Sequence, residues 1–220
     1  MSVSVEVWGD FACFSCPEMK TERVSYEVIT PSAARGLLEA IYWHPGLKRV
    51  IDRIQVCEPI KFTNIKRNGV KDVIPWNAVK KSMESGNENL YLVTSDSIQQ
   101  RNAMVLRNVH YIIDAHFEMT DSASPSDNPA KFQEMTLRRI EKGQCYHQPY
   151  LGVREFPAHF QMCKKRPSCP KELLGERDLG WMLLDMDYSN PADIRPKFFR
   201  AIMRDGVIDV PDFNSSEVMG

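Results

Sequence analysis

The chain has no long apolar run. None of its hydrophobic stretches approaches the roughly 20 residues that span a bilayer, so no membrane partner is expected. The opening MSVSVEVWGDF lacks a basic segment followed by an apolar one, and no secretory signal is expected either. Net charge is almost absent, at −1 for 220 residues, which taken alone speaks against a polyanionic partner. There is no glycine-rich phosphate loop and no HExxH, the common marks of nucleotide-binding enzymes and zinc proteases. The six cysteines are scattered through a chain too long to need stapling, so a reduced, cytoplasmic protein is expected.

What the charge total hides is its distribution. Gly46 to Lys81 carries nine Lys/Arg against three acids, and Lys131 to Arg177 carries ten against five. Attraction to phosphates is screened within roughly 8–10 Å at physiological salt, so local basic blocks matter more than the sum. Lys66, Arg67 and Lys71 surround Gly69 as a basic loop suited to an RNA stem, whose shape and phosphates are what proteins read. Arg138, Arg139 and Lys142 form a second basic group on a helix. Each group is equally compatible with ordinary solvated surface.

Hydrophobic periodicity orders the elements. Val3, Val5 and Val7 alternate with polar neighbours as a half-buried strand. TPSAARGLLEAIYWHP predicts a helix with Thr30 as cap, Pro31 at the first position and Pro45 as stop. Leu37, Leu38, Ala40 and Ile41 form its apolar face, leaving Tyr42, Trp43 and His44 at its end, either to close the core or to reach outward. Leu47 to Phe62 predicts a strand, and Thr63 to Asn102 a polar, irregular insertion with a short helix near Trp76 to Met83. Met104 to Met119 alternates cleanly, with Val109, Tyr111, Ile113, Ala115 and Phe117 on one side and His110, Asp114 and His116 on the other. Ala130 to Lys142 predicts a basic amphipathic helix ended by Gly143, and Tyr150 to Phe160 another strand.

This is β-α-β-β-α-β order, which predicts an α+β, ferredoxin-like (RRM-like) domain over residues 1–160. Its insertion covers about 63–102, and a small antiparallel β region follows over 161–220. GWMLLDMDY and KFFRAIMRDGVIDVP would form that second region. Cys13, Cys16, Cys163 and Cys169 could together offer zinc four thiolates, although their spacing matches no standard zinc module. Asp185 and Asp187 share a strand face and read as a surface pair rather than a metal site.

IYWHP, VHYIIDAHFEM, YLGVREFPAHF and GWMLLDMDY occur here in this order. On these motifs the chain resembles the type I-C (Dvulg subtype) branch of the fifth Cas protein family, within the repeat-associated CRISPR superfamily. The resemblance runs from about Val5 to Pro211. It implies an endoribonuclease that cuts CRISPR precursor RNA within its repeats and keeps the 5′ handle of the guide. The protein would then be a subunit of the type I-C interference complex. The partners so implied are repeat RNA, the mature guide, the other subunits and duplex DNA. Cleavage in the family is metal-independent, so no cofactor and no metal are expected: the 2′-hydroxyl attacks the adjacent phosphorus, aided by a base, a cation and an acid.

The resemblance matches Tyr42 to the family's tyrosine at the end of the first helix and Lys131 to its lysine. Relatives carry a histidine after that lysine, where this chain has Phe132. The missing imidazole then falls to His44, His147 or His116, and Phe132 becomes a candidate to stack on a base. A binding-only subunit is the alternative that Phe132 favours. A generic ferredoxin-like RNA-binding or zinc-stabilised module is the reading without the resemblance.

Overall fold

The computed structural model of the chain describes residues 2–19, 22–86, 89–190 and 192–220. It is a mixed α/β protein dominated by an antiparallel sheet. β1 (Ser2–Ala12) buries Val3, Val5 and Val7, as alternation requires. After the two-residue β2 (Arg23–Val24) comes α1 (Pro31–Ile41). Thr30 caps α1 by accepting from the Ala33 amide at 3.2 Å, and the apolar face Leu37, Leu38, Ala40 and Ile41 is buried. Arg35, on the other side of α1, holds Asp185 at 2.5 and 2.9 Å. Asp185 is therefore a structural anchor for α1.

β3 (Leu47–Val56) ends earlier than the sequence suggests, and β4 (Phe62–Val70) begins where an irregular insertion is expected. β4 pairs along its whole length with the first part of β5 (Ile98–Met119), so the basic segment around Gly69 is a strand rather than a loop. Its polarity is misleading because its half-buried side carries Thr63, Arg67 and Gly69 beside Ile65, which packs on a small apolar cluster of Cys13, Ala103 and Val105, and every residue of β4 keeps some exposure. α2 (Trp76–Ser85) buries no residue. In β5, Val109, Tyr111, Ile113, Ala115 and Phe117 point into the core.

α3 (Pro129–Glu141) is capped by Asn128, whose side chain accepts from the Lys131 amide at 2.8 Å. Tyr150–Ala158 is a tight loop where a strand is expected. Gly152 there has φ +84 and lies so close to the Cys13 carbonyl that a side chain has no room, and the Leu151 amide donates to the Phe156 carbonyl at 2.8 Å. Only β6 (His159–Met162) remains as strand.

β7 (Glu176–Asp187) and β8 (Arg195–Arg204) form the expected antiparallel pair. β9 (Val207–Asp209) pairs with both β8 and β3, so these strands extend the same sheet, and β10 (Val218–Met219) adds to β8. The central order is β3-β5-β1-β6, all neighbours antiparallel. Leu38 of α1 and Ile140 of α3 join one apolar cluster with Val5 and Ile113, so both helices cover the same face. The opposite face is not open: Ile112 is fully buried, and Arg166 from the segment after β6 grips Asp114 at 2.6 and 2.8 Å.

Candidate active site

Two turns build the site. The α1–β3 turn carries Tyr42 and His44, and the β5–α3 turn carries Asp127 and leads to Lys131. They are tied together: Thr120 Oγ1 donates to the Pro45 carbonyl at 2.6 Å and the Thr120 amide to the Gly46 carbonyl at 3.2 Å. Gly46 permits this approach, since a Cβ there would come within 2.8 Å of Ala123 Cα. Residues far apart in sequence are thereby held side by side.

Tyr42 terminates α1 in an extended conformation, its amide still bonded to the Leu38 carbonyl. Its ring packs with Leu47, Phe117 and Phe132, and only 8% of the residue is exposed. The guanidinium of Arg139 stands 5.1 Å from the ring centroid while donating to the Ile41 carbonyl at 2.9 Å. Lys131 Nζ donates to Asp127 Oδ1 at 2.8 Å, and Ser124 donates twice to Oδ2 at 2.9 Å. His44 Nε2 lies 3.9 Å from the same Oδ2. The Gly46 amide donates to His44 Nδ1 at 3.1 Å, which places the ring proton on Nε2, toward Asp127.

These contacts set the charges. Lys131 and the Ser124 donors hold the Asp127 carboxyl well below the usual carboxylate range, and Asp127 in turn raises Lys131. Burial pushes the Tyr42 phenol up and outweighs the opposing pull of Arg139, Lys131 and Arg49. Tyr42 is therefore a hydrogen-bond donor at neutral pH rather than a phenolate. With His44 Nε2–H and the Lys131 ammonium, it makes a site rich in donors, suited to negative charge building on phosphate oxygens.

Arg49 lies close by, and its inward place between Leu47 and Ile51 on β3 is a sequence signal that was not used. It is 2% exposed, donates from Nη2 to Thr136 Oγ1 at 2.6 Å, and has no partner for Nε or Nη1 among the described residues. Burial pulls its guanidinium down to about 10. Asp127 was also missed, though it stands four residues before Lys131.

The remaining candidates separate. Phe132 is fully buried, with His44, Tyr42 and Phe117 around its ring at centroid distances of 4.9, 6.4 and 6.2 Å, so it has no face to offer a base. His116 lies on the opposite sheet face, its Nδ1 2.6 Å from Asp52 Oδ1. His147 is exposed in the loop after α3, its amide bonded to the Ala40 carbonyl. Arg138 and Lys142 are exposed on α3. Lys66 and Arg67 face Asn102 and Arg101 of β5, and the path from there to Phe117 is roughly 50 Å at about 3.3 Å per residue. Lys71 follows at the end of β4, so this basic group is not brought beside Tyr42. Arg67 also pairs with Glu155 at 3.2 Å.

The cysteines do not converge. The Cys163 amide bonds to Ser4 at one end of β1 and Cys13 lies just past the other, roughly 30 Å along the strand. Among the described residues no group of three or more His, Cys, Asp or Glu could hold a metal ion. Among the same described residues no helix is long and apolar enough to cross a membrane.

Comparison with known proteins gives the class of this antiparallel-sheet protein: it is a CRISPR-associated protein. The chain matches the Cas5d family model, described as CRISPR-associated protein (Cas_Cas5), over residues 2–211, and it belongs to that family. It is 48% identical over 221 residues to the CRISPR pre-crRNA endoribonuclease Cas5d of Mannheimia succiniciproducens, covering 98% of this chain and 97% of that one. To the CRISPR pre-crRNA endoribonuclease Cas5d of Thermus thermophilus it is 38% identical, covering 95% and 91%. Among solved structures, a CRISPR-associated protein superposes with a TM-score of 0.69 at 20% identity, over 100% of this chain and 97% of that one. A chain of a CRISPR RNA-guided surveillance complex does so with a TM-score of 0.55 at 13% identity, over 96% and 92%. These two speak for the fold alone.

Proposed function

We propose that this protein is a cytoplasmic endoribonuclease of CRISPR precursor RNA that cuts within repeats and retains the 5′ handle in the type I-C interference complex. The observation that carries this reading is the joining of Tyr42, His44 and Lys131 at one pair of turns. Two relatives of nearly equal length bear the name pre-crRNA endoribonuclease, and a chain of a surveillance complex shares the fold. The order β3-β5-β1-β6 with α1 and α3 on one face supports a ferredoxin-like domain over residues 1–160. β7 to β10 support a small antiparallel region over 161–220.

The chemistry is attack of a 2′-hydroxyl on the adjacent phosphorus, its proton passing to solvent, with loss of the 5′-oxygen, which takes a proton in turn, leaving a 2′,3′-cyclic phosphate and a 5′-hydroxyl. Lys131 neutralises the non-bridging oxygens, the Tyr42 hydroxyl donates to the leaving oxygen, and His44 Nε2–H adds a second donor. No step in this scheme calls for a metal. A repeat RNA with a single 2′-deoxy nucleotide before the scissile phosphate tests it: cleavage should stop there while binding persists. Cleavage of that RNA at the same bond contradicts the scheme.

A second reading keeps RNA binding and drops cutting. It is favoured by Phe132, which fills with core side chain the place where the family resemblance implies an imidazole. Retained RNA binding with no cleavage of the natural repeat at any pH from 6 to 9 would establish it.

A further inference from the structure

Next to the Tyr42 cluster, on the far side of Arg139, lies a pocket of about 440 Å³ that the cleavage scheme does not use. Glu39, Trp43, Arg139, Tyr146 and His147 line it, with Gly36 at its floor. Trp43 and Tyr146 are 58% and 79% exposed, a large aromatic surface left to water. The wall is held in place: the amides of Tyr146 and His147 both donate to the Ala40 carbonyl, at 2.9 and 3.3 Å. Tyr146 and His147 meet edge to face at 5.4 Å.

Gly36 is a second, independent pointer. It sits inside α1, where glycine costs about 1 kcal/mol relative to alanine. No protein atom lies within 4 Å of where its Cβ would be, so nothing in the fold demands its smallness. A bound group resting on the helix would. Arg139 joins the pocket to the catalytic side, since the same guanidinium covers the Tyr42 ring. Glu39 accepts from Arg35 through Oε2 at 2.7 Å and is otherwise available as an acceptor at the pocket wall.

We infer that this pocket binds one unpaired nucleobase of the RNA, next to the nucleotides that flank the scissile phosphate. The base stacks on Trp43 and Tyr146 and turns an amino edge to Glu39, while Arg139 faces the backbone. Exposed aromatics beside an arginine are how proteins hold unpaired bases, and the volume suits a base with its sugar. The inference rests on the RNA-cleavage reading and names the subsite that would position its substrate.

The test is binding of an uncleavable 2′-deoxy repeat RNA, scanned with single abasic nucleotides around the cleavage position. Wild-type protein should lose roughly 5- to 150-fold in affinity at one position. Trp43→Ala should lose a similar factor on intact RNA and lose nothing more from the abasic site at that position. Gly36→Leu, which fills the pocket from an unobstructed helix position, should weaken binding while its melting temperature holds or rises. The subsite is overturned if both variants bind intact RNA as wild type does, or if Trp43→Ala and the abasic site act additively at every position. Wild-type protein that does not bind the RNA at all overturns the RNA-cleavage reading and the subsite with it.

Discussion

Lys131 and Asp127 are locked together at 2.8 Å, and the same carboxylate faces His44 at 3.9 Å. One acid thus holds the cation and faces the imidazole, whose ring the Gly46 amide fixes at 3.1 Å. Since Asp127 titrates well below the usual carboxylate range when folded, its contribution to stability is complete above the unfolded value of about 4. It is lost as pH falls below that value toward the folded one. Asp127→Asn should therefore unfold at lower temperature than wild type at pH 7, with the gap beginning to narrow as pH falls below about 4. A gap in melting temperature that stays constant from pH 7 to pH 3 would contradict this.

His44 and His116 separate by geometry. His44→Ala should slow cleavage by ~10-fold or more, in the lower range for a hydrogen-bonding or proton-transfer group. His116→Ala should leave cleavage unchanged, because its partner is Asp52 on the opposite sheet face. Phe132→His should not accelerate cleavage, since the ring is buried against His44. It should instead cost roughly 1–3 kcal/mol for an unsatisfied polar group in the core, read by denaturant unfolding. Faster cleavage by Phe132→His would show that the buried position communicates with the RNA.

Arg49 separates stability from activity. Replacing a buried, partly unpaired charge with an apolar side chain of similar length is often neutral or stabilising. Arg49→Met should therefore keep or raise the unfolding free energy, yet slow cleavage by ~10-fold or more if its charge serves the phosphate from behind Tyr42. Loss of stability with full activity would assign Arg49 to the core alone.

The basic strand β4 and the basic end of α3 lie far apart along the sheet. Reversing Lys66 and Lys71, or Arg138 and Lys142, should weaken RNA binding and flatten its salt dependence by roughly 0.7–0.9 for each phosphate that is no longer neutralised. Titrations at several salt concentrations decide this, and an unchanged slope leaves the reversed group as solvated surface.

Much of the fold could be read because burial and periodicity coincide. Val3, Val5 and Val7, the Thr30 cap and the inward side of β5 each carry their own pattern. β4 could not be read, since its half-buried side is mostly polar, with Thr63, Arg67 and Gly69 beside Ile65, and the Tyr150–Ala158 loop is fixed by Gly152 against Cys13, a contact between distant residues. At the site, Tyr42 and Lys131 came from the family's motifs. Their company did not, because Asp127 comes near Tyr42 only where the two turns are tied through Thr120 and Gly46, and Arg139 only where α3 packs beside the end of α1. Phe132 looked available for stacking because a helix-start aromatic in a basic segment gives no local sign of complete burial.

The pH dependence follows from the donors. Tyr42 and Lys131 are both raised above their ordinary values, so both stay protonated through neutral and mildly alkaline pH. Single-turnover cleavage should hold or rise from pH 6 to 9, with any loss from these two groups confined to pH above about 10. A fall centred between pH 7 and 9 would mean that one of them acts in a different protonation state.

The most direct measurement is single-turnover cleavage of the repeat hairpin by Tyr42→Phe in EDTA, alongside binding of the same RNA. Phenylalanine keeps the ring under Arg139 and against Phe132 and removes only the hydroxyl. Wild type should cleave in EDTA to a 2′,3′-cyclic phosphate and a 5′-hydroxyl. Tyr42→Phe should bind equally well and cleave at least ~100-fold more slowly. Cleavage by Tyr42→Phe at the wild-type rate would contradict a catalytic role for the hydroxyl and the site built around it.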